Sequence, residues 1–348
     1  MGAFVGATGG RPYTSLTNLE MIPKKIYARF DGGEGMKSLP RLCLELLSEQ
    51  KRSWPELRQG SEALKDVRER DVTCKGFSVR LQYNPGRMRS STAAVGEKNT
   101  KAQRCFLCLD DLPEEQQGLL YGGEYLILCN PMPILSPHFT IPHVEHRRQA
   151  IREHSDTLLR LLAEFGSGWT VLYNGPKCGA SAPDHLHFQA GPSGQMPVER
   201  EIREERRLTQ WISVDGCLVY RAGGLGRQIV ILEGDNPIAL DGAFKSFLGA
   251  LKKVLRTGEE PMMNVAGFYE QGKWRLMIFP RRKHRPDAFY REGEARVVVS
   301  PGLIDMGGLL VTPIERDFER LDAAAVEGIY GEVSLEETTV EMAIEAML

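Results

Sequence analysis

No stretch of this chain stays apolar for anything near the roughly 20 residues that a bilayer-spanning helix requires, so its sequence offers no membrane helix. Charge of neither sign predominates: 44 Lys and Arg stand against 46 Asp and Glu, a formal net charge of −2. That balance supplies neither the basic footprint of a nucleic-acid binder nor a polybasic surface for membranes. Cysteine is sparse and odd in number, seven in 348 residues. Scattered in this way, it argues against a disulfide framework and for a reducing compartment, with the cytoplasm as the expected location. Met1 to Thr17 is glycine-rich and lacks a basic-then-apolar pattern, so residues 1–20 read as a flexible tail rather than an export signal.

What is present is an ordinary globular composition, 42% hydrophobic and 26% charged, long enough for one large domain or two modest ones. Apolar spacing from Leu39 to Leu64 suits short helices. Phe77 to Tyr83 alternates like a strand and stops at the turn signal Asn84-Pro85-Gly86. Tyr125–Cys129 and Phe139–Ile141 read as a hairpin pair, Arg147–Phe165 as an amphipathic helix and Trp169–Tyr173 as a strand. Glu199–Arg207 is a charge run, expected as a solvated helix or linker. Beyond it, strand-like segments at Gly216–Tyr220, Ile229–Leu232, Pro261–Tyr269 and Trp274–Phe279 flank a helix at Ile238–Leu255. Phe279-Pro280-Arg281-Arg282-Lys283-His284-Arg285 echoes Ile141-Pro142-His143-Val144-Glu145-His146-Arg147. The expectation is an α+β fold with an antiparallel sheet, in two tandem units at 21–205 and 206–348, the second without a histidine pair.

The chemistry concentrates at Asp184-His185-Leu186-His187-Phe188-Gln189. Strand alternation sets His185, His187 and Gln189 on one face and Leu186 and Phe188 on the other. The small-residue run Asn174-Gly175-Pro176-Lys177-Cys178-Gly179-Ala180-Ser181 leads into it. Backbone N–H groups in such a loop are free to point at an anion, which makes this a candidate phosphate site. A neutral imidazole, with a reference pKa of about 6.5, attacks phosphorus without a separate base to remove a proton. Cys105-Phe106-Leu107-Cys108 is a second motif. A CxxC pair is either a metal knuckle or a redox dithiol, and no thioredoxin-like βαβ pattern surrounds this one.

From Tyr173 to Gln189 the chain resembles the active-site stretch of the nucleotidyltransferase branch of the histidine-triad superfamily. That branch includes galactose-1-phosphate uridylyltransferase, diadenosine tetraphosphate phosphorylase and the GDP-hexose phosphorylases, and it carries HxHxQ where the hydrolases carry a third histidine. Asn130-Pro131-Met132-Pro133, Pro137-His138, Ile141-Pro142 and His146 are similar to the superfamily's preceding hairpin. The resemblance implies a histidine-triad-like fold, a duplication with one degenerate repeat, and His187 as the nucleophile that forms a nucleotidyl-histidine intermediate. It implies that Gln189 favours transfer over hydrolysis, since an amide cannot titrate near neutral pH. Arg87 and Arg89 resemble the family's phosphate-holding arginines, Asn174, Gly179 and Ser181 its phosphate loop, and Asn130 its ribose contact. Asn130 also suits a turn cap, and one extra residue lies between Gly179 and His185 relative to the uridylyltransferases. His138 matches a further histidine that orients the site.

Zinc-containing members of the superfamily complete a structural Zn2+ site with histidines that match His146 and His185, beside Cys105 and Cys108. The GDP-hexose phosphorylases, which share His-Leu-His-Phe-Gln, generally lack the CxxC. The expected reaction moves a nucleoside monophosphate from an NDP-sugar or dinucleoside polyphosphate to phosphate or a sugar phosphate. The competing readings are a hydrolase of the same fold and a non-catalytic nucleotide-binding or zinc-stabilised interaction protein. A homodimer is one assembly open to such a chain.

Overall fold

In the computed structural model, residues 24–33, 37–92 and 105–348 are described; the expected tail at 1–20 lies outside them. The centre is one 11-stranded sheet. Its strands are β1 (Ile26–Phe30), β4 (Gly118–Tyr121), β5 (Tyr125–Cys129), β6 (Phe139–Pro142), β7 (Trp169–Asn174), β8 (His187–Pro192), β9 (Leu208–Val214), β10 (Cys217–Ala222), β11 (Ile229–Gly234), β12 (Met263–Glu270) and β13 (Lys273–Pro280). Their order is β1-β4-β5-β6-β8-β7-β12-β13-β11-β10-β9. A small second sheet pairs β2 (Arg68–Thr73), β3 (Ser78–Tyr83) and β14 (Leu309–Thr312).

Inside the edge strand β1, the first half runs β4-β5-β6-β8-β7; from the opposite edge inward, the second runs β9-β10-β11-β13-β12. In each, the fifth strand of the five lies between the third and fourth, and a helix links the third to the fourth: Ser155–Phe165 and Pro237–Val254. The halves meet where β7 and β12 pair antiparallel, Asn174 opposite Asn264. The Ile-Pro and Phe-Pro echo does not follow this order. Pro142 ends β6, the third strand of its half, whereas Pro280 ends β13, the fifth of the other. The strand at the place of β8 is therefore β13, which holds no histidine.

Alternation along the strands builds two cores. Phe188, Ile141, Tyr173 and Val265 face the helices Leu39–Ser53, Ser155–Phe165 and Pro237–Val254. Leu172, Ala266, Met277 and Phe279 face the small sheet and the C-terminal segments. Each core draws side chains from both halves.

Three expectations need correction. The helix starts at Ser155, not Arg147, because neighbours take up the backbone before it: Arg147 C=O accepts from Leu186 N–H, and Ile151 N–H donates to Glu260. Glu199–Arg207 is a solvated run only in part: Arg200, Arg203 and Arg206 are exposed, but its acidic start is not. Glu199 is fully buried, its carboxylate accepting from Thr170 and from the N–H groups of Gly194 and Met196. The sheets are mixed rather than antiparallel throughout: β1 pairs parallel with β4, and β14 parallel with β3.

Candidate active site

β8 begins at His187, two residues later than the alternation suggests. His185 precedes it in a turn closed by its N–H to Ala182 C=O, so its ring leaves the strand face and joins the cysteines. His187 and Gln189 remain on one face, opposite Pro142 and Thr140 of β6.

His187 is 1% exposed. Its Nδ1 lies 2.8 Å from the His185 carbonyl oxygen, and a carbonyl can only accept, so Nδ1 carries the proton and Nε2 carries the lone pair. That Nε2 is buried with no hydrogen-bond partner among the described residues. Burial also lowers the ring's pKa from its usual value, which keeps it neutral. A buried, unprotonated, unpartnered nitrogen is a poor structural choice and a good nucleophile.

The residue that holds this geometry went unnoticed in the sequence. β7 and β8 pair as far as Leu172 opposite Gln189, and beyond that pair the strands part. Gln149 fills the gap. Its amide oxygen accepts from His187 N–H at 2.8 Å, and its amide nitrogen donates to Asn174 C=O at 2.8 Å and His187 C=O at 3.2 Å. Gln149 lies in the irregular segment before the helix, where periodicity assigned it to a helix; a glutamine inside a charge-rich stretch gave no signal. Gln149→Leu should cost about 1–3 kcal/mol in denaturant unfolding, the penalty for stranding buried backbone groups. A change under about 0.5 kcal/mol would show that water replaces the amide.

Gln189 is oriented by His138. Ile134 N–H donates to His138 Nδ1 at 3.3 Å, so the proton sits on Nε2, which donates to Gln189 Oε1 at 2.8 Å. The Gln189 amide nitrogen is thereby left to face outward. Burial drives the His138 pKa down to about 4, so this ring stays neutral. Asn130 behaves as a turn cap: its side-chain oxygen accepts from Met132 N–H at 2.9 Å, and its amide lies 3.4 Å from His138 Nδ1. Arg87 stands on the short turn Pro85–Arg87 and donates to Met132 C=O at 3.0 Å, which brings it to the same corner. Arg89 is in the helix Met88–Thr92, and its side chain lies outside the described set.

In the small-residue loop, Asn174 ends β7 and turns its side-chain oxygen inward, accepting from Leu303 N–H and the Asn264 amide, each at 2.7 Å. Gly179 has φ +93°, and an added Cβ would meet Gly302 Cα at 2.8 Å, so only glycine fits. Ser181 is exposed. The N–H groups of Gly179, Ala180 and Ser181 have no acceptor among the described residues.

Beside this face, Cys105, Cys108, His146 and His185 bring their ligand atoms within 4.8 Å of one another. Cys105 Sγ is 3.2 Å from His185 Nδ1, and Cys108 Sγ is 3.2 Å from His146 Nδ1 and 3.7 Å from His185 Nδ1. Tetrahedral zinc with Zn–S near 2.3 Å and Zn–N near 2.05 Å separates such atoms by about 3.5 Å. Both imidazoles turn Nδ1 inward. His185 Nε2–H donates to His143 C=O at 2.8 Å, and His146 Nε2 faces Asp184 at 3.6 Å, the outer partners that fix a metal-binding tautomer. Without an ion, burial and the neighbouring Cys105 push the Cys108 thiol up to about 12. The donor set and spacing of the four residues fit a metal ion.

The comparisons bear on the fold. Residues 46–192 match a family described as a domain of unknown function, DUF4922. No curated protein matches the chain by sequence. Yeast Ap4A phosphorylase Apa2 in complex with AMP superposes with a TM-score of 0.56 at 14% identity, covering 86% of this chain and 97% of that one. The same enzyme with Ap4A gives 0.54 at 14% identity, covering 84% and 97%. A third structure of it gives 0.50 at 13%, covering 81% and 94%. What is shared is the fold of that phosphorylase, a member of the branch whose active-site stretch the motifs resemble.

Proposed function

We propose that this protein is a nucleotidyltransferase of the phosphorylase type, with His187 as its nucleophile. The observation that carries the reading is the buried, partnerless Nε2 of His187, with its proton held on Nδ1 by the His185 carbonyl. In the first step Nε2 attacks the α-phosphorus of an NDP-sugar or dinucleoside polyphosphate. The N–P bond forms, the bridging P–O bond breaks, and the leaving phosphate takes the electron pair. In the second step an oxygen of phosphate or a sugar phosphate attacks the same phosphorus, the N–P bond breaks, and His187 is regenerated. The N–H groups of Gly179, Ala180 and Ser181, with Asn174, Arg87 and Arg89 nearby, hold the phosphates, and Asn130 and His138 close the nucleotide end. The AMP and Ap4A complexes of the fold neighbour support a nucleotide substrate.

Cys105, Cys108, His146 and His185 hold zinc in this reading. The ion supplies no reacting group; it ties the turn before β8 in place, and the His185 carbonyl that orients His187 belongs to one of its ligands. The repeated strand order supports two tandem units, 21–205 and 206–348, the second degenerate.

Incubation with a panel of NDP-sugars and dinucleoside polyphosphates, with and without phosphate, should give a mass adduct of one nucleoside monophosphate on the protein. Absence of any adduct or turnover across the panel would refute the reading. The amide of Gln189 should also decide the acceptor. Gln189→His places a titratable ring there, so the ratio of hydrolysis to phosphorolysis should rise by about tenfold. An unchanged ratio would remove Gln189 from that role.

A further inference from the structure

The half of the chain without a histidine pair contributes a buried cation beneath the phosphate loop. Arg281, directly after β13, is 1% exposed, the largest of the fully buried side chains. Its five N–H donors all reach neutral oxygens. Nη1 donates to Asn264 Oδ1 at 2.5 Å and Pro301 C=O at 3.0 Å. Nη2 donates to the carbonyls of Lys283 at 3.2 Å and His284 at 2.9 Å, and Nε to that of Val333 at 3.3 Å. No carboxylate forms an ion pair with it among the described residues. A guanidinium does not lose its proton in a protein, and a buried charge without a counter-charge is strongly unfavourable.

The one carboxylate that acts on Arg281 through its field is Asp305. Asp305 is shared with Arg87, spends its oxygens on the N–H groups of Gly302 and Val311, and is itself raised by burial to about 6. Asp305 is therefore a weakened counter-charge for Arg281.

The bonding leads from Arg281 to the loop and the nucleophile. Asn264, held by Arg281, donates to Asn174 Oδ1 and to Cys178 C=O, each at 2.7 Å. Across a trans peptide, drawing the Cys178 carbonyl inward turns the Gly179 N–H the opposite way, toward the open side. Asn174 C=O in turn accepts from Gln149, which holds His187 N–H. Arg281, Asn264, Asn174, Gln149 and His187 form one hydrogen-bonded chain across the β7–β12 seam.

We propose that Arg281 is a positioning residue whose buried charge is balanced by the phosphate of the bound substrate, and whose hold on Asn264 aims the Gly179–Ser181 loop at that phosphate. This rests on the reading of that loop as the phosphate site. A function for the second half follows: it supplies charge to a reaction whose bond-making residue lies in the first.

The test uses titration calorimetry with AMP, inorganic pyrophosphate and adenosine on the wild type, Arg281→Met and Arg281→Lys, together with the rate of adduct formation by intact mass. The Met variant should bind AMP and pyrophosphate at least about tenfold more weakly while adenosine stays within about threefold, and the Lys variant should restore both anions to within about threefold of wild type. Equal losses for AMP and adenosine, or a Lys variant as weak as Met, would overturn the role of the charge. So would a wild type that binds neither anion. If Arg281→Met does not fold, the Lys variant decides alone: its preference for AMP over adenosine must match wild type within about threefold. Arg281-dependent anion binding with no adduct on any substrate would sink the covalent reading and leave Arg281 standing. An adduct formed by Arg281→Met at the wild-type rate would do the reverse.

Discussion

His187→Ala should lower turnover on the true substrate by on the order of 10⁴-fold and abolish the nucleotidyl adduct, while nucleotide affinity stays within about threefold. The asymmetry has a physical origin. In the proposed mechanism, phosphate binding is divided among three loop N–H groups and several arginines, so no single side chain dominates it. Bond formation there depends on one nitrogen, the Nε2 that has no hydrogen-bond partner among the described residues. His185→Ala should differ in kind. It removes a ligand atom of the Cys/His cluster and disturbs the turn whose carbonyl orients His187, so stability should fall along with activity. Near wild-type turnover by His187→Ala would rule out the covalent route and favour a binding protein of the same fold.

The second large effect concerns the metal. Purified protein should carry about one zinc per chain, and Cys108→Ser should release it. Metal binding to a tetrahedral Cys2His2 set is worth roughly 10 kcal/mol at neutral pH, folded into the stability of the domain that holds it. A chain with two large cores should lose a part of that, several kcal/mol, rather than unfold outright. Elemental analysis and unfolding with and without chelator measure both quantities. Metal-free protein with the same stability in chelator would eliminate the assignment.

Legibility in the sequence followed the range of the interactions involved. Elements defined by local periodicity, such as β7, β11 and the helix Pro237–Val254, are readable because each carries its own apolar pattern. The four-residue cysteine–histidine cluster is readable only through family resemblance, since Cys105 and His185 are far apart in the chain and meet only through the fold. Gln149 and Arg281 were invisible as functional residues. Each works through bonds to distant backbone, and neither residue type nor spacing marks such a role. The error at Glu199 has the same root: a charged side chain in a charged run reads as solvated until its buried donors are known.

The antiparallel seam between β7 and β12 limits how this molecule can assemble. In a sheet built by a two-fold axis, an edge strand pairs with its own copy from a second subunit, and the interface is isologous. Here that position is occupied from within the same chain, with Asn174 opposite Asn264 and Val171 opposite Gly267. β7 pairs with β8 over residues 169–172 and with β12 over residues 171–174. Among the described residues, extension of the large sheet by a second chain is therefore left to its outer strands, β1 and β9. The interior seam, where the hydrogen-bonded chain to His187 crosses, is closed to any partner.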